Sequence, residues 1–260
     1  MNGGSNSSGR PDLSSTSRLG LLLNGAIFLA WLASLVGLLG VDLTVLPKPL
    51  LLPCLLAAVV GRTILTTGLF IVGHDAMHGV LLPEQRGWND RLGSVALALY
   101  ASLPYRQCRF NHELHHCFTA SEQDPDFHGD AAAGIFGWYL RFMSGYLTAN
   151  QMARLLSGWG LLALAACWLS PLGWLNVLLF CTLPLLLSSL QLFVFGTFLP
   201  HRSQRAPGHQ PRAQSLDLPG WLSLLACYHF GYHREHHERP ELAWFELPRQ
   251  RRRSLGLAPA

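Results

Sequence analysis

Apolar residues are concentrated in four long runs along this chain, separated by more polar segments. The runs cover 19–46, 50–73, 152–169 and 172–199. A helix needs about 20 consecutive, mainly apolar residues to cross the hydrocarbon core of a bilayer, and each run is close to that length or longer. A weaker run at 92–104 is too short to cross. The pattern therefore predicts four transmembrane helices.

The composition supports a membrane location and excludes an ordinary soluble domain. Of the 260 residues, 50% are apolar and only 13% are charged, whereas soluble domains carry about 25% charged residues. The formal net charge is +4, but the basic residues form no patch interleaved with aromatic side chains of the kind that binds nucleic acid. We therefore expect a lipid membrane, and no nucleic acid, as a partner.

Basic residues are distributed unevenly among the connections. Lys48 is alone in the first connection, and the Ser170–Gly173 turn has none; Arg62 lies inside the second run. An arginine within a span is costly, so it is expected to serve a function or to reach the membrane surface. The other basic residues lie before the first run, between 74 and 154, and after residue 200. Because Lys and Arg accumulate on the cytoplasmic side, we predict an all-α integral membrane protein: four transmembrane helices in two hairpins, cytoplasmic termini and a cytoplasmic helical cap.

The rest of the chain fits one domain with two tails. Residues 1–18 are polar and rich in Gly and Ser, which predicts a disordered tail. We expect a single membrane domain over 19–248, starting with a retained helix rather than a cleaved signal peptide, and a basic tail over 249–260. The six cysteines form no CxxC pair, so the sequence indicates neither a disulfide framework nor a thiolate metal site.

Histidines form three clusters, and their spacing indicates a metal site. Residues three and four apart lie on one face of a helix, so each cluster directs its imidazoles one way. The predicted topology places all three on the cytoplasmic side. Eight imidazoles exceed what one tetrahedral zinc uses, so a two-metal site fits better. Iron is the candidate metal that can also activate oxygen. The clustered residues are His74, His78, His112, His115, His116, His233, His236 and His237.

Further polar residues near the clusters are candidates for the same site. His201 ends the fourth run and is expected as a ninth ligand, although an interfacial histidine at a helix end is the simpler alternative. Metal-bound imidazoles usually donate their other N–H to a carboxylate, and we favour Asp75 and Asp124 for that role. His128 follows the acidic DPD sequence and is either a catalytic base or a loop histidine. His229 would share a helical face with His233, four residues later.

The sequences around these clusters resemble a known family. FIVGHDAMHG, the NHELHH to DPDFH segment (Asn111 to His128), FGTFLPHR and CYHFGYHREHHERP are similar to the signatures of bacterial and cyanobacterial β-carotene ketolases. These belong to the integral-membrane di-iron superfamily of fatty-acid desaturases and hydroxylases. The resemblance runs from about residue 69 to 248, skipping the third run. Desaturases often have Asn one helical turn before the histidine corresponding to His201, where this chain has Thr197.

The resemblance implies a fold, a metal centre and a reaction. The eight clustered histidines and His201 would hold two iron ions that activate O2, with electrons from reduced ferredoxin or a similar carrier. Ring carbon 4 of a β-ionone ring would be hydroxylated twice, and the geminal diol would lose water to give a ketone. β-Carotene would enter from the bilayer and yield echinenone and canthaxanthin. Expected tunnel residues are Phe70, Met77, Leu99, Tyr100, Phe136, Tyr139, Phe142, Phe195 and Phe198.

Two other functions remain open at this point. A carotenoid ring hydroxylase or an acyl-lipid desaturase would use the same di-iron chemistry on a different bond. A histidine-rich metal transporter is the alternative from another class. Transporters place their ligands near the bilayer midplane in broken helices, whereas these clusters are predicted beyond the ends of the spans.

Overall fold

The computed structural model describes residues 13–128, 134–202 and 213–257, and within them it is all-helical. The long helix Gly173–His201 contains both α and π turns. A 3-10 turn, Trp244–Glu246, precedes the last helix. The helices are α1 Leu13–Leu39, α2 Lys48–His78, α3 Arg86–Ala101, α4 Tyr105–Phe118, α5 Ile135–Tyr146, α6 Ala149–Leu169, α7 Gly173–His201, α8 Gly220–Cys227, α9 His233–Glu238 and α10 Leu247–Ser254.

Four of these helices, α1, α2, α6 and α7, are long and apolar enough to cross a membrane. Their ends differ from the predicted spans. Helix α1 stops at Leu39 rather than residue 46, and Asp42 accepts hydrogen bonds from the backbone N–H and hydroxyl of Thr44 in the turn that follows. Helices α2 and α7 continue to His78 and His201. The first histidine cluster and His201 are therefore on the last turns of long helices.

The expected tails are partly helical. Residues 13–18 belong to α1, and the rest of the predicted N-terminal tail, 1–12, lies outside the described residues. Residues 249–254 of the predicted C-terminal tail are in α10, where Arg251 donates to the buried carboxylate of Glu235 at 3.2 Å. This ion pair fixes a basic segment that its composition alone would leave in solvent.

The two short connections, 40–47 and 170–172, meet at one end of the helices. The buried amide of Asn176 donates to the backbone carbonyls of Leu39 and Val41 at 3.0 and 2.8 Å. Ser170 donates to the same Val41 carbonyl at 3.0 Å. The end of α1 therefore lies beside the α6–α7 turn, and the histidine-bearing ends of α2 and α7 lie at the opposite end.

Arg62 is explained by a proline in α7. Pro184 has no N–H, so the Phe180 carbonyl four residues earlier lacks its usual helical donor, and the helix widens into a π turn over Leu178–Thr182. The guanidinium of Arg62 donates to that carbonyl at 2.9 Å and to the Trp31 carbonyl at 2.7 Å. With only 2% of its surface exposed, Arg62 does not reach the membrane surface. It joins α1, α2 and α7 instead.

Helix α3 runs antiparallel along the last turns of α2, close enough to require small residues. A Cβ at Gly93 would lie 2.4 Å from the Cβ of Ala76, and one at Gly73 would lie 2.5 Å from the Leu97 side chain. The buried amide of Asn89 donates to the Ala76 carbonyl at 2.8 Å. This close packing places α4, which follows α3, against the end of α2 that carries the first histidines.

Candidate metal centre

The histidines converge from four helices. His74 and His78 lie in the last turns of α2, and His201 ends α7. The middle cluster is on α4 and the third on α9. A tight turn precedes α9, where Tyr228 and His229 have positive φ angles of 48° and 66°. The prediction that His229 shares a helical face with His233 is therefore wrong, because the chain between them is not helical.

Eight of the nine histidines form two groups of four. In each group the four ring nitrogens that could bind a metal lie within 4.8 Å of one another. Both groups combine residues from distant parts of the chain, and most of these side chains are buried. Group one consists of His74, His78, His112 and His236, and group two of His115, His201, His233 and His237.

His116 lies beside both groups. Its Nε2 atom is 3.1 Å from Nε2 of His112 and 3.0 Å from Nε2 of His236, both in group one. Its ring also stacks on His237 of group two, with ring centroids 4.3 Å apart. The nitrogen contacts assign His116 to group one as a fifth donor.

The spacing of the ring nitrogens fits metal coordination. The Nε2 atom of His112 lies 2.8 Å from those of His74 and His78 and 3.1 Å from that of His116. A ring nitrogen carries one hydrogen or one lone pair, so hydrogen bonding cannot account for three such contacts. Two nitrogens bound at right angles to one ion at about 2.1 Å would be about 3 Å apart. The donor set therefore fits a bound transition-metal ion.

Burial keeps most of these imidazoles neutral, as metal binding requires. Loss of solvation lowers the pKa of His116 to about 2. The same effect, with added repulsion between neighbouring histidines, places four other pKa values well below the ordinary one. These belong to His112, His233, His236 and His237.

His115 differs because a carboxylate supports it. Burial lowers its pKa, but the hydrogen bond to Asp124 and the charges of Asp126 and Asp124 outweigh burial, and the net shift is upward. Nδ1 of His115 lies 2.9 and 3.0 Å from the two carboxylate oxygens of Asp124. That carboxylate also accepts from the backbone N–H groups of Ala120 and Asp126. Asp124 is thus fixed where it orients the His115 ring and leaves Nε2 for a metal.

The other two residues predicted to be catalytic are placed differently. The carboxylate of Asp75 accepts from the backbone N–H of Trp244 at 3.2 Å. Its other oxygen lies 3.5 Å from Nδ1 of His74, but the contact does not have the geometry of a hydrogen bond. His128 belongs to neither histidine group and lies against Trp138, with centroids 6.3 Å apart. Of the three residues, the structure brings only Asp124 into hydrogen-bond contact with a candidate ligand.

Two adjacent cavities lie next to the histidines. The smaller, about 40 Å³, is bounded by histidines of both groups. The larger, about 210 Å³, is lined almost entirely by apolar side chains of α2, α3, α5, α6 and α7. Both cavities share Phe70, Phe142, Tyr146 and Leu192. The two cavities therefore meet at shared side chains, which places the apolar cavity beside the candidate metal centre.

The predicted tunnel residues are only partly in these cavities. Phe70, Met77, Tyr100 and Phe142 line one or both. Phe136 is 72% exposed, because it projects from the outer face of α5. The other four face neither cavity, and these are Leu99, Tyr139, Phe195 and Phe198.

Sequence reasoning did not single out several residues of the smaller cavity. Asp126 lines it and accepts a hydrogen bond at 2.8 Å from the Tyr146 hydroxyl, which also lines it. Burial raises the pKa of Asp126 to about 6. The ring of Phe230 packs edge-on against His74, with centroids 4.4 Å apart. Asp126 is in the DPD sequence and Phe230 lies three residues before the third histidine cluster, but nothing in the sequence marks Tyr146.

Comparison with known proteins identifies the class of protein. The model of the fatty acid desaturase family matches residues 47–260, and the chain belongs to that family. It is 39% identical over 255 residues to the β-carotene ketolase of Paracoccus sp. (strain N81106 / MBIC 01143), covering 93% of this chain and 95% of that protein. It is 40% identical over 204 residues to the zeaxanthin 4-ketolase of Chlamydomonas reinhardtii, covering 75% and 44%. No solved structure matches the chain.

Replacing Asp124 tests its effect on His115. We expect Asp124→Asn to lower metal affinity or activity by about 10- to 100-fold, because an amide is a weaker acceptor for the imidazole N–H and carries no charge. The measurement is metal bound per chain during titration with a chelator. Glu122→Gln, an exposed change in the same loop, is the matched control. Equal metal retention in the two variants would contradict the role of Asp124.

Proposed function

We propose that this protein is a di-iron β-carotene ketolase, which oxidises the ring carbon 4 methylene of a β-ionone ring to a ketone. One structural observation carries the proposal: two histidine groups border a cavity that adjoins an apolar cavity between membrane-length helices. We take the two cavities together as the substrate path. The names of the relatives supply the substrate class and the reaction.

The proposed membrane arrangement follows from the two ends of the helix bundle. Helices α1 and α2 would form one hairpin, and α6 and α7 the other, with both short connections outside the cytoplasm. The histidine end, with α3, α4 and α9, would form the cytoplasmic cap. The charge distribution supports this orientation, because basic residues are concentrated at that end. His78 and His201 end their helices, whereas a transporter would carry its ligands near the midplane.

The proposed metal is iron, two ions per chain. Group one with His116 would hold one ion and group two the other. Neutral imidazoles suit iron but also zinc and copper, so the choice of iron rests on the O2 chemistry of the proposed reaction. Bound iron supplies the binding and activation of O2, with electrons from reduced ferredoxin or a similar carrier.

The protein's own residues would select and orient the substrate. The larger cavity accepts the apolar polyene from the bilayer, and Phe70, Phe142 and Leu192 at the junction position the ring. Hydrophobic packing there excludes water from the reacting carbon. Asp126 and Tyr146 are polar groups on the cavity wall, and the Asp126 carboxylate would accept a hydrogen bond from a hydroxyl on carbon 4.

The reaction balances as two hydroxylations and one dehydration. Each hydroxylation replaces one C–H hydrogen by OH and uses one O2, two electrons and two protons, releasing one water. The geminal diol at carbon 4 then loses water to form the C=O bond. The products from β-carotene would be echinenone with one ketone and canthaxanthin with two.

Expression in a host that accumulates β-carotene tests the proposed function. We expect echinenone and canthaxanthin, identified by mass and absorption, and none without the gene. A ring hydroxylase would give only hydroxylated carotenoids, and an acyl-lipid desaturase would leave β-carotene unchanged while adding double bonds to fatty acids. Either pattern in membranes that contain the protein would overturn the ketolase assignment.

A further inference from the structure

An open groove lies between the outward faces of α3 and α4, away from the metal centre. Its volume is about 910 Å³, and aromatic, apolar and arginine side chains line it. On α3, Trp88 is 56% and Val95 is 50% exposed, and on α4 Phe110 is 55% exposed. Large apolar side chains exposed together indicate a binding surface rather than ordinary solvent contact.

In the proposed membrane arrangement, the groove lies at the membrane surface, where headgroups meet acyl chains. Helix α3 is antiparallel to the end of α2, so Arg86 donates to the Met77 carbonyl at 3.2 Å. At its other end, Tyr100 contacts Phe70 with ring centroids 5.4 Å apart. Trp88 therefore lies level with the last turn of α2, and Val95 about two turns deeper. Aromatic and arginine side chains at the membrane surface, followed by apolar ones, match the order of a lipid molecule.

The groove also presents two arginines with no ion pair among the described residues, Arg91 and Arg106. Both are exposed, and the Arg91 guanidinium lies 4.8 Å from the centroid of the Trp88 ring.

The two carboxylates that line the groove, Asp90 and Glu113, are already paired. Asp90 lies 3.2 Å from Arg86 and 3.6 Å from Arg109, and Glu113 lies 2.7 Å from Arg109. The charge left for a ligand is therefore positive.

We propose that this groove binds an anionic phospholipid. Arg91 and Arg106 contact the phosphate from the two walls, and the acyl chains pack on Val95 and Phe110, with Trp88 at the headgroup level. An acidic protein would be attracted by the same two arginines, but it would have to cover Val95, which lies level with the end of the predicted second span. The apolar wall therefore favours a lipid.

Trp88 provides a local probe of the groove. The iron-loaded, full-length protein is reconstituted in vesicles of phosphatidylcholine with added phosphatidylglycerol. In one preparation the phosphatidylcholine carries brominated acyl chains, and in the other the phosphatidylglycerol does. Bromine quenches tryptophan fluorescence, so quenching reports which lipid lies next to Trp88. For each variant, the Trp88→Phe counterpart gives the background from the other tryptophans. We expect phosphatidylglycerol to be preferred over phosphatidylcholine at Trp88 by about thirtyfold, because each of the two arginines near the membrane surface multiplies the preference by roughly five.

Charge removal tests the site directly. Arg91→Gln/Arg106→Gln is expected to reduce the preference to about one, and each single variant to reduce it about fivefold. Arg249→Gln/Arg253→Gln removes two exposed arginines of α10 and is expected to keep the preference. Unchanged iron content confirms that the variants are folded.

Equal quenching by both lipids in the unaltered protein would overturn the proposal, as would a preference that survives in the groove variant. Without a lipid preference, a raised KM for reduced ferredoxin in the groove variant would assign the groove to the electron donor instead. The fluorescence measurement does not depend on ketolase activity, so failure of the lipid site and failure of the proposed reaction are distinguishable.

Discussion

His115→Ala is expected to abolish ketolase turnover, by more than about a hundredfold, while the protein still inserts into the membrane. Loss of a group-two donor disables one metal position. Mutation of residues that only orient a ligand already lowers metal affinity or activity by about 10- to 100-fold. The helical scaffold makes its main contacts elsewhere, through α1, α2 and α7. Iron per chain, measured on purified protein, should fall from two to one or none.

His229→Ala is the matched control for this prediction. His229 is a histidine of the same cap that belongs to neither group, and burial lowers its pKa to about 4, so it too is neutral. The control variant should keep both iron ions and most of its turnover. A His115→Ala variant with two iron ions and normal turnover would remove His115 from the metal centre.

Leu192→Trp is expected to lower kcat/KM for β-carotene by about a hundredfold without loss of iron. Leu192 is 6% exposed and lines both cavities at their junction. An indole there would obstruct the path and displace the ring from the metal centre, and displacement by about 1 Å can cost roughly a hundredfold in rate. Pigment analysis, together with iron content, separates this effect from damage to the metal site.

The control for the substrate path is on the same helix. Leu190 is 43% exposed, and its side chain faces away from the two cavities, so Leu190→Trp adds the same bulk on the outer surface. We expect near-normal turnover from it. If Leu192→Trp oxidised β-carotene as fast as Leu190→Trp, the substrate would have to enter by another route.

Local patterns predicted much of the fold and the identity of the candidate ligands. Long apolar runs gave the four membrane-length helices, because helix length and side-chain hydrophobicity are local properties. The spacing of three and four residues placed each histidine cluster on one helix face for the same reason. The metal roles of these residues remain a prediction, supported by the two groups in which the structure places them.

Contacts between distant residues were not predictable in this way. One hydrogen-bond acceptor of Arg62 is the Phe180 carbonyl in α7, which lies 118 residues further along the chain. A proline deprives this carbonyl of its usual helical donor. Asp75 and Asp124 were equivalent in the sequence, yet Asp75 accepts its hydrogen bond from the Trp244 backbone and stays 3.5 Å from His74, whereas Asp124 is hydrogen-bonded to His115. Whether a carboxylate reaches an imidazole depends on how helices and loops pack.

The sequence by itself determined the membrane-length helices and the histidine-bearing faces, because helical periodicity and apolar length act within one segment. Only the tertiary structure decided how nine histidines divide into two groups, which carboxylate supports them, and where the apolar path meets them. These features depend on α2, α4, α7 and α9 packing at one end of the bundle, and the close contact of α3 with α2 sets part of that packing.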